Sequence, residues 1–351
     1  MVHFSACAAP LGRSALARAG SAMRCGAGLA VYALLAAWAQ YTVLLWSVFV
    51  FRGLAHAGRY SLCGWAGLAR RALLPRLPAV RSYCLWCCLG LCLACLAGCA
   101  GHGGGRAEAE QLAQSHGLRH CLFQTENFAL FGLLRAGTGW ILRVYIEGDG
   151  RAWLTRTRPS TDPTPQNPVA LRLAVADPSR DTVLYLARPC QFVQGADRRQ
   201  CARRYWTNAR LAEDVIASLN EAISTAKAQA GAKQVALVGY SGGGGAAVLL
   251  AARRSDVVFL ATVAGNVHSA AWTQQHKVSP LVGSLEPFDA ASAVRGIAQW
   301  HISGAEDDIM PPALSQQFCQ KVGAAAHCQT IAHMRHDSAW QEHWLPPAVL
   351  P

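Results

Sequence analysis

Gln234-Val-Ala-Leu-Val-Gly-Tyr-Ser241-Gly-Gly-Gly-Gly-Ala-Ala-Val-Leu-Leu250 packs three local structures into seventeen residues. The run 234–238 is short, apolar and partly β-branched, the pattern of a buried strand. Gly239-Tyr240-Ser241-Gly242-Gly243 is a G-x-S-x-G turn, and the small residues after it open a helix. A serine in such a turn stands at the C-terminal edge of a sheet, and the flanking glycines keep side chains out of the strand–helix crossing. A glycine-rich turn after a strand can also cradle phosphate. No Lys follows this glycine run, however, which excludes a P-loop.

Outward from this turn, short apolar runs alternate with helical patterns, which argues for an α/β sheet. The expected strands are 122–124, 129–134, 141–146, 182–186, 234–238, 257–263, 298–303 and 328–331. The clearest helix follows Thr207 and Asn208, both good N-caps. Leu211, Val215, Leu219 and Ile223 recur at fours along it, so one face packs on the sheet.

With the turn and the strand order in place, residues 120–347 resemble the α/β-hydrolase family. The resemblance implies an α/β-hydrolase fold, with a mostly parallel central sheet flanked by helices. It also implies a serine nucleophile, an acid after a later strand and a histidine after the last one. Gly304-Ala-Glu-Asp307-Asp308-Ile-Met-Pro311 follows the strand 298–303, and Asp307 has the family's spacing to the hydrophobic residue and Pro, with Asp308 second. His333-Met-Arg-His336 follows the strand 328–331, and His336 matches best, with His333 second. In these roles His336 takes the Ser241 proton and Asp307 orients the imidazole. Two stretches compete for the oxyanion hole. His102-Gly103-Gly104-Gly105 copies a lipase string but has no strand before it, whereas Glu147-Gly148-Asp149-Gly150 directly follows the strand 141–146. The second is expected to serve, through backbone amides of Asp149 or Gly150 together with Gly242. Glu147 stands where the family often has His. The loop 151–167 and the insertion 266–297, which contains Trp272, are expected to shape the cleft. The insertion is too short for a large lid, which favours small or extended acyl substrates.

No cofactor is implied. His333, His336 and His343 with Glu342 fit no standard metal pattern, and Cys84-x-x-Cys87 and Cys92-x-x-Cys95 lie in an apolar run without His or carboxylate. No metal is therefore expected.

The 14 Cys are divided by Cys99. The stretch 82–97 is apolar, follows Arg81 and ends in Leu96-Ala97-Gly98-Cys99, which resembles the lipobox of bacterial lipoproteins. The resemblance implies a signal peptide over 80–98, lipidation of Cys99 and anchoring to the bacterial cell envelope, on its periplasmic or outer-membrane face. Residues 99–118 then read as a flexible tether and 119–351 as the hydrolase domain. Among the later cysteines, Cys190 with Cys201 and Cys319 with Cys328 are disulfide candidates, neighbour pairing being one of several connectivities. Cys121 reads as a small buried hydrophobe.

Residues 26–51 carry no charge between Arg24 and Arg52, long enough for a membrane helix. The favoured reading of 1–79 is nevertheless an over-extended start, because the leader from Val80 is complete by itself, and the extra membrane segment is the alternative. Charge supports the division. The chain's formal +12 is uneven: residues 1–100 hold nine Arg and no Lys, Asp or Glu. The remainder is near +3, which removes the case for nucleic-acid binding. The 52% apolar content excludes a disordered chain. The leading expectation is a membrane-anchored serine hydrolase cleaving an ester or related acyl bond. A serine peptidase on the same fold and a non-catalytic binding lipoprotein are the alternatives.

Overall fold

A computed structural model describes residues 105–344. The 26–51 segment, the signal peptide 80–98, Cys99 and most of the His102–Gly105 string lie outside the described residues. Among the described residues no helix is long and apolar enough to cross a membrane.

Eight strands form one sheet: β1 (Arg119–Gln124), β2 (Ala129–Arg135), β3 (Ile141–Ile146), β4 (Thr182–Leu186), β5 (Gln234–Tyr240), β6 (Val257–Val263), β7 (Ala298–Gly304) and β8 (Ala326–Ile331). Their order is β1-β2-β4-β3-β5-β6-β7-β8. Only β2 runs against its neighbours, and the pairs from β4 to β8 are all parallel. This is the α/β-hydrolase fold. All eight expected strands are present, some longer by one to three residues.

Among the described residues six α-helices accompany the sheet: α1 (Gly105–Ser115), α2 (Val169–Val175), α3 (Glu213–Ala230), α4 (Gly242–Ala251), α5 (Ser269–Gln275) and α6 (Pro312–Val322). The central strands are buried on both faces, and β3 shows why its sequence is apolar except for Arg143, whose buried guanidinium pairs with Asp181. Leu142, Val144 and Ile146 join the core with α3, α4 and Phe318 of α6, while Ile141 and Tyr145 join the core beneath α1, α2, Trp340 and Trp344. Parallel strands covered on both sides need such a near-continuous apolar run. On α3, Val215, Leu219 and Ile223 are fully buried, as the fourfold spacing requires. Each such side chain contributes roughly 1.5–3 kcal/mol.

Two expectations are corrected. The tether over 99–118 is helical over Gly105–Ser115, because Arg-Ala-Glu-Ala-Glu-Gln-Leu-Ala-Gln is a run of strong helix formers. Ala109 and Ala113, four apart, are buried, and Arg106 pairs with Glu110. Thr207 and Asn208 do not cap α3, which starts later at Glu213 behind Ala212. Residues 203–206 form a 3-10 turn that Thr207 Oγ1 closes by donating to the Arg203 carbonyl. The α3 N-terminus is served instead by Glu213 and Asp214 in its first turn. After His336 the chain passes through a 3-10 turn, Trp340–Glu342.

Cys190 is bonded to Cys201 and Cys319 to Cys328. The second bridge ties α6 to β8, an edge strand whose residues alternate between half-buried and exposed over most of its length. Cys121 is buried in the core.

Candidate active site

The sharp turn between β5 and α4 puts Ser241 at φ 51°, ψ −123°, in a region that non-glycine residues rarely occupy. Such a conformation costs about 1–3 kcal/mol and persists only when its surroundings hold it. Here they do. The Ser241 amide donates to the Val263 carbonyl (3.0 Å), and its own carbonyl accepts from Gly244 (2.9 Å) and Asn266 (2.8 Å). Glycine is required at two flanking positions by close approach. A Cβ at Gly239 would lie 2.2 Å from the Gly243 carbonyl oxygen, and one at Gly243 would lie 2.4 Å from that of Ile146.

His336 and Asp307 converge on this serine. His336 Nε2 is 3.1 Å from Ser241 Oγ, and His336 Nδ1 is 2.9 Å from Asp307 Oδ2. Asp307 is buried, and its Oδ1 accepts from the amides of Ile309 (3.0 Å) and Met310 (2.8 Å), so the acid turn grips its own carboxylate. The imidazole is positioned from behind. Tyr240 Oη donates to the His336 carbonyl at 2.9 Å and Trp340 Nε1 donates to it at 2.8 Å. The sequence reading singled out neither residue for the site. Of the second choices, Asp308 is exposed and His333 pairs with Glu306 in an exposed contact, so neither joins the serine.

The loop after β3 meets the serine from the other side. A Cβ at Gly148 would lie 3.1 Å from Ser241 Cβ, and one at Gly242 would lie 2.2 Å from Asp149 Oδ1. The amides of Asp149 and Gly242 make no hydrogen bond among the described residues. Gln191 orients the first of them. Its Nε2 donates to the Gly148 carbonyl (2.9 Å), and a trans peptide aims its N–H opposite to its C=O, so the Asp149 amide is turned away from Gln191. Gln191 Oε1 in turn accepts from the Arg188 amide, and Cys190 beside it is locked by its disulfide. Gly150 has φ +62° and abuts Pro163, at the turn into the 151–167 loop. That loop closes on itself through Arg151 N–H to the Pro163 carbonyl and is docked by Trp206 Nε1 on the Ser160 carbonyl.

Glu147 is fully enclosed at the base of this loop, and burial pushes its carboxyl up to about 7. The Gly148 amide, the Tyr185 hydroxyl and the Ala170 and Leu171 amides of α2 oppose that rise. A carboxyl raised from 4.5 to about 7 favours the folded state below pH 4.5 and loses that contribution as pH climbs through 7. Relative to Glu147→Gln, the wild type should lose on the order of 3 kcal/mol between these limits and level off above them. Denaturant unfolding across pH measures this. A difference that does not vary with pH would show that Glu147 does not titrate there.

The insertion 266–297 carries α5 and a 3-10 turn, Pro287–Ser292. Trp272 Nε1 donates to the Ile309 carbonyl in the acid turn (2.8 Å), and Arg210 lies over the Trp272 ring at 5.7 Å. A cavity of about 480 Å³ opens within the insertion, between α5 and residues 278–286.

No protein-family model and no curated protein matches the chain by sequence. Solved structures similar to it include an alpha-beta serine hydrolase homologue from Coxiella burnetii, at 15% identity over 62% of this chain and 88% of that one, with a TM-score of 0.45. A Pyrococcus furiosus esterase is 11% identical over 64% and 87%, with a TM-score of 0.46. A membrane phospholipase A described as a bacterial virulence factor is 16% identical over 77% and 94%, with a TM-score of 0.43.

Proposed function

We propose that this chain is a serine hydrolase that cleaves an ester or related acyl bond through an acyl-enzyme. One observation carries the reading: a single imidazole lies 3.1 Å from a strained serine and 2.9 Å from a buried carboxylate. A serine hydroxyl is a weak nucleophile at its own pKa and needs a base in contact. His336 Nε2 takes the Ser241 proton as Oγ attacks the acyl carbon. The resulting oxyanion is met by the amides of Asp149 and Gly242, and losing one such donor typically costs about 2.7–4 kcal/mol. His336 then gives the proton to the leaving group, and the acyl group stays on Ser241. Water repeats the cycle, with His336 as base, and releases the acid. Asp307 holds the proton-bearing Nδ1 throughout and stabilises the imidazolium.

The test is labelling of the full chain with a fluorophosphonate, wild type against Ser241→Ala. Labelling of the wild type alone is expected. Equal labelling of both, or of neither, would sink the reading. Paired esters and amides of one acyl group then separate esterase from peptidase.

We further propose anchoring to the cell envelope through a lipid on Cys99. The support is the sequence Leu96-Ala97-Gly98-Cys99 behind an apolar run and Arg81. The N-terminal peptide of membrane-extracted protein is expected to begin at Cys99 and to carry the mass of a diacylglyceryl group. An unmodified Cys99, or residues upstream of it, would contradict the anchor.

A further inference from the structure

Two arginines are buried against the oxyanion loop with one carboxylate between them. Arg210 Nη1 is 2.5 Å from Asp149 Oδ2, and Arg188 Nη1 is 3.5 Å from Asp149 Oδ1. Arg188 Nη2 donates to the Arg210 carbonyl, joining the two residues. Both arginine side chains are more than nine-tenths buried. Asp149 is the anion that opposes the burial penalty on Arg188, while Arg210 adds to that penalty. Two guanidinium charges therefore face a single carboxylate, and the cluster keeps one uncompensated positive charge.

Donor capacity is also in surplus. Arg188 Nε and Nη1 have no hydrogen-bond partner among the described residues. Arg210 uses Nε on the Thr207 carbonyl and Nη1 on Asp149, which leaves Nη2 without a hydrogen-bond partner among the described residues and not fully buried. The cluster lies at the reacting centre. The Asp149 carboxylate fills the space over Gly242, next to Ser241. From Arg210 the wall continues through the Trp272 ring to the Ile309 carbonyl, two residues from Asp307. Arg210 thus stands on the rim that runs from the oxyanion loop to the acid turn. A guanidinium fork with a spare donor matches a carboxylate, and a buried positive charge rewards a ligand that neutralises it.

We infer that Arg210, backed by Arg188, forms a subsite for a carboxylate on the substrate, so that the hydrolase prefers acyl compounds bearing a negative charge. This rests on the serine-hydrolase reading above.

The experiment compares kcat/KM of the full chain on matched pairs. One pair places the charge in the acyl group: the 4-nitrophenyl monoester of glutaric acid against 4-nitrophenyl pentanoate. The other places it in the leaving group: the butyryl ester of 4-hydroxybenzoate against that of its methyl ester. The wild type is expected to favour the charged member of one pair by about tenfold or more, and that pair assigns the side of the bond. Arg210→Gln should collapse the ratio towards one, while Arg210→Lys, which keeps the charge, should retain much of it. The ratio is the readout, since both variants also disturb the partner of Asp149. Wild-type ratios of one or below in both pairs would overturn the subsite without any variant, and so would a ratio that Arg210→Gln leaves intact. Turnover of the neutral ester with fluorophosphonate labelling, but without a charge preference, defeats the subsite alone. Absence of labelling and of all turnover defeats the hydrolase reading with it.

Discussion

Replacing Ser241 with alanine is expected to lower kcat on a 4-nitrophenyl ester by about 10⁵–10⁶, leaving only what the oxyanion amides and substrate binding supply. The size of the effect follows from the isolation of the hydroxyl. Oγ is the atom that His336 Nε2 faces, and no other hydroxyl contacts that nitrogen among the described residues. Alanine occupies the same strained backbone with one atom fewer. The amide of residue 241 still donates to Val263, and its carbonyl still accepts from Gly244 and Asn266. Thermal unfolding should therefore stay close to wild type while turnover disappears. Loss of less than about a hundredfold, measured on protein free of contaminating esterase, would mean that the chemistry lies elsewhere.

Asp307→Asn should cost about 10⁴ in kcat, and for a geometric reason. Asp307 Oδ1 accepts from Ile309 and Met310, and an asparagine oxygen can keep both bonds. That assignment turns the asparagine NH₂ towards His336 Nδ1. The imidazole must then accept at Nδ1 and carry its proton on Nε2, facing Ser241, where it cannot act as base. The fold survives and the tautomer is wrong. Asp308→Asn, at the exposed neighbouring position, should stay within about threefold of wild type. Equal losses at the two positions would reverse the assignment of the acid.

What could be read from the residues had a local cause. The strands were legible because a sheet covered on both faces demands mostly apolar runs such as Ile-Leu-Arg-Val-Tyr-Ile, while polar strand ends such as Arg119-His120 carry no such signal. Ser241, Asp307 and His336 were legible because each sits at the end of such a run in a turn of fixed spacing. What stayed hidden depends on contacts between distant residues. Gln191 turns the Gly148 peptide across 43 positions, and Arg210 reaches Asp149 across 61. Tyr240 occupies the variable position of its motif, and its bond to the His336 carbonyl spans 96. The start of α3 was misjudged for a similar reason. Thr207 has the chemistry of a cap, but the 3-10 turn before it claims its hydroxyl. Helix α1 was hidden in the same way: glycines at 103–105 disfavour a helix, and the burial of Ala109 and Ala113 against the rest of the fold is what the local pattern does not carry.

The bridge between Cys319 and Cys328 has a consequence beyond stability. The strand it fastens lies at the border of the sheet, and the backbone leaving that strand leads directly to His336. Fraying of a border strand can occur as a local event while the rest of a protein remains intact. Detachment of β8 would carry the base away from an otherwise finished site, leaving a folded but silent molecule. On the proposed mechanism the covalent stitch would guard readiness for turnover, since it holds His336 in register with Ser241, nearly a hundred residues earlier in the chain.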